Sequence, residues 1–223
     1  MNKKHAFYAT IAMLPVLAYA PLTNAAPEPK ESVKNSMKLD KPLELGEQMI
    51  DFKIDDAAGG TISLSELLED GPVVVTFYRG SWCPYCVTEL SSIQKRLKKI
   101  SKAGAQVLAI APEVPSETAD LTEQKKLGFL FGTDHDNELA TRLGLSFKLD
   151  AKTIKRYNEY GIDVPESNGT KSWELPVPAT YVIDTDRTIR FAYVDEDYKK
   201  RADYDDVIDV LKTIQEEATD NEG

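Results

Sequence analysis

From about residue 45 onward, short blocks of continuous apolar residues are interleaved with segments in which apolar positions recur every three or four residues. The first pattern predicts strands and the second amphipathic helices. "MIDFKI" is a strand candidate, followed by "SLSELLEDG", a short helix with Ser63 as cap and Gly71 as stop. "PVVVTFY" is a nearly unbroken β-branched and aromatic run, as a central strand covered on both faces requires. After it, Leu90, Ile93, Leu97 and Ile100 mark one face of a helix that begins at Cys83 and ends near Gly104. The opposite face carries Lys95, Arg96, Lys98, Lys99 and Lys102, a charge run read as a solvated helix surface.

"QVLAIAP" and "FLFGTD" continue the strands, alternating with helices in "PSETADLTEQKKLG" and "NELATRLG". An excursion over residues 145–175 holds a helix in "DAKTIKRYNEYG" and a polar loop, "PESNGTKSWE". Two strands, "ATYVIDTD" and "TIRFAYVD", then form a hairpin turning at Asp186 and Arg187, and a last helix places Val207, Val210, Leu211 and Ile214 on one side. Alternation closed by a hairpin predicts an α/β fold, a mixed central sheet covered by helices on both faces.

With 223 residues, 42% apolar and 29% charged, the chain is sized for one principal core. Residues 1–25 read as a signal peptide: Lys3 and Lys4, an apolar run interrupted by Pro15 and Pro21, and small residues before Ala26. An uncleaved N-terminal anchor is the alternative, and no cysteine near that point offers a lipid attachment. The expected protein is exported, periplasmic in a double-membraned bacterium and otherwise secreted, with no stable membrane insertion. Residues 26–43 are Pro, Lys, Glu and Ser rich and read as a flexible linker, 44–216 as the folded domain, and 217–223 as a disordered acidic tail. The formal charge of −10 becomes −12 once residues 1–25 are removed (25 basic against 37 acidic), which argues against nucleic acid as a partner.

Both cysteines lie in "RGSWCPYCVTEL", two residues apart, just after the buried strand and at a helix start. A helix N-terminus offers unpaired N–H groups and partial positive charge, which stabilise a thiolate on Cys83, and Cys86 stands one turn on, close enough to resolve a mixed disulfide. A zinc site would need two further ligands, whereas there is no third cysteine and only His135 remains after residue 25. A purely structural bridge across two residues would restrain the unfolded chain little. The reading is a redox couple, with no metal and no cofactor beyond the disulfide itself.

"SWCPYC" resembles the Trp-Cys-x-x-Cys site of thioredoxins, with the Pro-Tyr dipeptide of glutaredoxins. From about residue 45 to 211, however, the chain resembles peroxiredoxins of the alkyl hydroperoxide reductase and thiol-specific antioxidant family. "LGEQMIDFKIDDAAGGTISLSEL" is similar to their opening segment and "VVVTFY" to their strand before the active site; the CxxC and "LPVPATYVID" are similar to a peroxiredoxin-like branch. The resemblance implies a thioredoxin-like fold and a thiol peroxidase. Aligning "CVTEL" with the family's Cys-Pro-Thr-Glu puts Cys86 at the peroxidatic position, whereas the electrostatics of the helix start favour Cys83. In that register Arg79 stands where the family has Pro, Cys83 where it has Thr, and Pro178 where it has its later active-site Arg. By position, then, the groups that polarise a bound peroxide are absent.

Resemblance to thioredoxin-fold proteins implies that Pro178 is a cis-proline beside the cysteine pair, with Val177 supplying a backbone contact in a peptide groove. The alternative for Pro178 is an edge proline opening a strand. Trp82 is expected to pack beside the pair and Tyr85 to be exposed. Arg79 is the cation nearest the thiols in sequence, though such an arginine also reads as a surface ion-pair partner. His135 reads as a solvated loop residue with Asp136 or Asn137 capping the next helix, Thr180 and Arg190 lie on the closing strands, and "NGT" at Asn168 matches a glycosylation acceptor or a turn. Three functions stay open: peroxidase turned over by an external thioredoxin-like or glutaredoxin-like dithiol, disulfide exchange with protein substrates, and a redox-switched binding module using 145–175.

Overall fold

The computed structural model describes residues 38–221, so the expected signal peptide and residues 26–37 of the linker lie outside the described residues. The order is β1 (Lys53–Asp56), β2 (Thr61–Ser63), α1 (Leu64–Glu69), β3 (Val73–Phe77), α2 (Pro84–Lys102), β4 (Gln106–Ala111), α3 (Pro115–Lys125) and β5 (Leu130–Thr133). It continues with α4 (Glu138–Arg142), β6 (Ser146–Lys148), α5 (Ala151–Glu159), α6 (Val164–Asn168), β7 (Glu174–Pro176), β8 (Ala179–Ile183), β9 (Ile189–Val194) and α7 (Tyr204–Asn221). One sheet has the strand order β2-β1-β5-β4-β3-β8-β9, and β6 and β7 form a separate ribbon. Strands β3, β4 and β5 are parallel, while β1, β8 and β9 pair antiparallel. This is the mixed α/β sheet of a thioredoxin-like fold.

Every residue of β3 is buried, as its unbroken apolar run requires of a strand covered on both faces. Val73, Val75 and Phe77 face a core closed by Leu64 and Leu68 of α1 and Leu139 of α4. Val74 faces the other core, with Leu90 and Ile93 of α2, Val207 and Leu211 of α7, and both cysteines. The cysteine pair therefore belongs to one face of the sheet, at the carboxyl end of β3, where open parallel sheets present their crevice.

Several boundaries depart from the sequence reading. The first strand is β1, later than "MIDFKI", because Met49 and Phe52 are core residues in an irregular stretch rather than ladder positions. Residues 38–43, assigned to the flexible linker, are held: Leu39 N–H donates to Arg142 O at 2.9 Å and Leu43 is buried in the core. The loop expected at "PESNGTKSWE" contains α6, capped by the Asp163 carboxylate accepting from Glu166 N–H. α7 runs to Asn221, well into the stretch expected as a disordered tail from 217, since the amphipathic pattern ending at Ile214 nucleates a helix that polar residues prolong. Among the described residues no helix is long and apolar enough to cross a membrane.

Candidate active site

β3 ends at Phe77 and α2 begins at Pro84, so residues 78–83 must carry the chain from the sheet to the helix start. Gly80 makes that bend at φ +150°, and a Cβ there would stand 2.4 Å from Trp82 Nε1. The bend is held by Glu113, just beyond β4: its carboxylate accepts from Ser81 N–H at 2.7 Å, Tyr78 O–H at 2.8 Å and Thr118 O–H at 3.2 Å. Burial raises the Glu113 carboxyl above its ordinary range, opposed first by the Ser81 N–H. Cys83 is the N-cap of α2, with extended backbone, and Pro84 supplies a first-turn residue without an N–H to satisfy.

Both cysteines are free and fully buried. Cys83 Sγ accepts three donors: Cys86 S–H at 2.7 Å, an Arg79 Nη2–H at 3.2 Å and the Cys86 backbone N–H at 3.4 Å. These hold its pKa well below the ordinary thiol range, at about 5, the Cys86 S–H contributing most, burial opposing, and the Arg79 charge next. Cys86 moves upward, because burial penalises its thiolate and its proton is engaged by Cys83. The two titrate as a unit, with the anion on Cys83.

Arg79, one reading of which was a surface partner, is buried: its Nη1 donates to Tyr157 O–H at 2.8 Å and its guanidinium lies 3.8 Å from the Tyr198 ring centroid and 5.4 Å from that of Trp82. Trp82 in turn meets Tyr157 edge-on at 5.6 Å. On the other side, Arg201 of the loop between β9 and α7 donates through Nη2 to Cys86 Sγ at 3.3 Å and through Nε to Glu89 Oε2 at 2.6 Å. Glu89 is buried one turn after Cys86 and accepts from Tyr204 O–H at 3.2 Å. Burial raises its carboxyl to about 7, against the Arg201 charge that favours ionisation. Tyr204 links onward to Thr180 and Thr180 to Thr76, each at 3.3 Å.

Cys83 and Pro178 still stand where the family has its Thr and its later Arg, but Arg79 and Arg201, the latter from elsewhere in the chain, bring a guanidinium to each sulfur. Arg201 is 115 residues from Cys86 and comes from a charged loop, where only folding selects it. The signal for Glu89 is in the sequence, as an acid on the apolar stripe of α2 between Cys86 and Ile93; nothing comparable marks Tyr157 or Tyr198.

Other expectations change as well. No cis peptide bond occurs among the described residues, so Pro178 is trans, the ordinary preference of an Xaa–Pro bond in extended chain. Val177 N–H is used by Leu145 O at 2.7 Å and its side chain packs on the core across the sheet from the cysteines, so that N–H is not free for a peptide. Asn137 takes the N-cap position of α4 without a side-chain bond, and it is the Asp134 carboxylate that accepts from Leu139 and Ala140 N–H. Arg190 pairs with Asp184 and Glu217, outside the site, and Asn168 is buried. His135 is exposed against Asp55 at 3.1 Å, and Tyr85 is exposed at the first turn of α2.

The sequence model described as "AhpC/TSA family" matches residues 45–192. The chain belongs to that family. A putative peroxiredoxin of Mycobacterium tuberculosis is 24% identical over 174 residues, covering 78% of this chain and 99% of the relative. Peroxiredoxin Bcp of Escherichia coli is 23% identical over 171 residues, 77% of this chain and 97% of the relative. Among solved structures, peroxidoxin BcpB of M. tuberculosis superposes with a TM-score of 0.62 at 24% identity, over 77% of this chain and 98% of that one. The AhpC/TSA assignment agrees with the thioredoxin-like sheet and makes the chain a peroxiredoxin-type thiol enzyme.

Proposed function

We propose that this AhpC/TSA protein reduces hydroperoxides with Cys83 as nucleophile and Cys86 as resolving thiol. The observation that carries the assignment of roles is the donor set on Cys83 Sγ, with Cys86 S–H, Arg79 and the Cys86 N–H all directed at one sulfur. Cys83 thiolate attacks one oxygen of the peroxide, the O–O bond breaks, Cys83 becomes a sulfenic acid, and the departing oxygen takes up a proton to leave as alcohol or water. Cys86 then attacks the Cys83 sulfur, forming the disulfide and releasing water. An external dithiol, thioredoxin-like or glutaredoxin-like, returns the pair to the reduced state by exchange and is itself oxidised.

Disulfide exchange with protein substrates draws less support. Val177, expected to supply a backbone contact to a peptide, has its N–H already bonded to Leu145 O. The basic start and apolar run at residues 1–25 support export, with turnover outside the cytoplasm.

Stopped-flow mixing of the reduced protein with hydrogen peroxide and, separately, with an oxidised peptide disulfide tests the reading. Cys83→Ser is expected to lose at least about a thousandfold in peroxide rate, while Cys86→Ser reacts once and stalls as a sulfenic acid. Peroxide consumption no faster than a free thiol, with rapid peptide exchange, would replace this reading with disulfide exchange.

A further inference from the structure

Resting on the peroxidase reading, we infer that Tyr198 determines which hydroperoxides reach Cys83, admitting hydrogen peroxide and holding back bulky alkyl hydroperoxides. Neither sulfur is exposed to solvent, so any substrate must displace part of what covers them, and the displacement required grows with the substrate. Above Cys83 the order is sulfur, guanidinium, ring: Arg79 lies 3.2 Å from Cys83 Sγ and 3.8 Å from the Tyr198 centroid. Trp82 and Tyr157 flank the same guanidinium, and Tyr85 meets Tyr198 edge-on at 5.7 Å.

These rings are not equally fixed. Tyr157 is buried in a small core of its own with Val164 and Leu175, between α5, α6 and β7, and its hydroxyl accepts from Arg79. Trp82 packs against that core and the main one. Tyr198 is only partly buried, on the loop between β9 and α7, with Glu196, Asp197, Lys199 and Lys200 exposed around it. Arg201 stakes the far end of that loop, bonded to Glu89 and Cys86 and donating to the Tyr198 and Lys200 carbonyls. Of the rings that touch Arg79, that of Tyr198 therefore moves at least cost, since an exposed loop segment gives up few packed neighbours. Its attraction to the guanidinium returns it to place.

The test compares rate constants of the reduced full-length protein with hydrogen peroxide and with cumene hydroperoxide, in the wild type, Tyr198→Ala and Tyr198→Phe. The wild type is expected to prefer hydrogen peroxide by about tenfold or more, Tyr198→Ala to bring the ratio down about tenfold through gain on the bulky substrate, and Tyr198→Phe to keep the wild-type ratio because the ring remains. The hydrogen peroxide rate is the internal control: if losing the ring merely unsettled Arg79 or the fold, both rates would fall together and the ratio would hold. An unchanged ratio in Tyr198→Ala, or a wild type indifferent to peroxide size, overturns this inference while leaving the peroxidase in place. A wild type slow with both peroxides overturns the peroxidase reading and this inference with it.

Discussion

Cys83 and Cys86 each face one guanidinium, Arg79 at 3.2 Å and Arg201 at 3.3 Å, yet the first is shifted toward the thiolate and the second toward the thiol. The largest part of the difference is the proton between them, since Cys86 S–H donates to Cys83 Sγ, together with the burial that raises Cys86; what else each arginine holds adds to it. Arg79 is bonded to a neutral tyrosine hydroxyl and covered by aromatic rings, so its charge has no carboxylate competing for it. Arg201 is already bonded to Glu89. Position on the helix adds to the contrast, since Cys83 at the N-cap receives the Cys86 N–H, while Cys86 sits inside the first turn as a donor to its neighbour. A buried cation activates a thiol when that thiol is its counter-ion, and much less when a carboxylate has taken that place.

Removing the cation that has no carboxylate should break the contrast most. Arg79→Met is expected to raise the Cys83 pKa and to lower the peroxide rate at neutral pH by about tenfold to a hundredfold, recovering as pH rises above about 8.5. The wild type should hold its rate as pH falls, declining only as Cys83 protonates around pH 5. Stopped-flow rates across that range decide it, and a variant with the wild-type pH profile would leave the Cys86 S–H and the helix start as sufficient cause.

Glu89→Gln should narrow the contrast from the other side. With its carboxylate gone, Cys86 is the one anionic partner left to Arg201, and the Cys86 pKa is expected to fall, read by alkylation rate against pH in a Cys83→Ser background. The same substitution changes stability. Glu89 has a folded pKa raised to about 7 from 4.5, so its contribution is fully present below about pH 4.5 and is lost as pH rises through about 7. Denaturant midpoints of the reduced protein should therefore lose part of their dependence over that interval in Glu89→Gln, and an unaltered slope would place the dependence elsewhere.

The smallest effect is the control. Arg96 is on α2 as well, but its ion pair with Asp205 at 2.8 Å is largely exposed. Arg96→Ala is expected to cost about 0.5 kcal/mol in chemical denaturation and to leave both thiol titrations as they were. A shift in either cysteine would mean that helix charge in general, rather than the buried guanidinium, sets the pair apart.

The local parts of this arrangement were legible in the chain. The run 73–77 could only be a doubly covered strand, Leu90 and Ile93 placed α2 against it, and a cysteine before proline at that junction is an N-cap by local sterics. Glu89 was readable as an acid on an apolar stripe, though its partner was not. The order of residues 38–43 and of the end of α7 is not legible in composition, because polar composition describes how a segment meets water, while Leu39 and Leu43 find apolar partners that it does not reveal.

Sequence alone determined the α/β order, the cysteine pair and its place at a helix start, since each depends on periodicity or on neighbours within one turn. Tertiary structure decided that Tyr157, 78 residues from Arg79, and Arg201, 115 residues from Cys86, close over the site, and that Pro178 and Val177 serve the chain's own packing. The charged loop holding Arg201 offers three cations, Lys199, Lys200 and Arg201, with nothing local to rank them. Burial ranked them: a cation leaves water at tolerable cost only where a carboxylate and further acceptors await it, and Glu89 and the Cys86 sulfur stand where the chain brings Arg201.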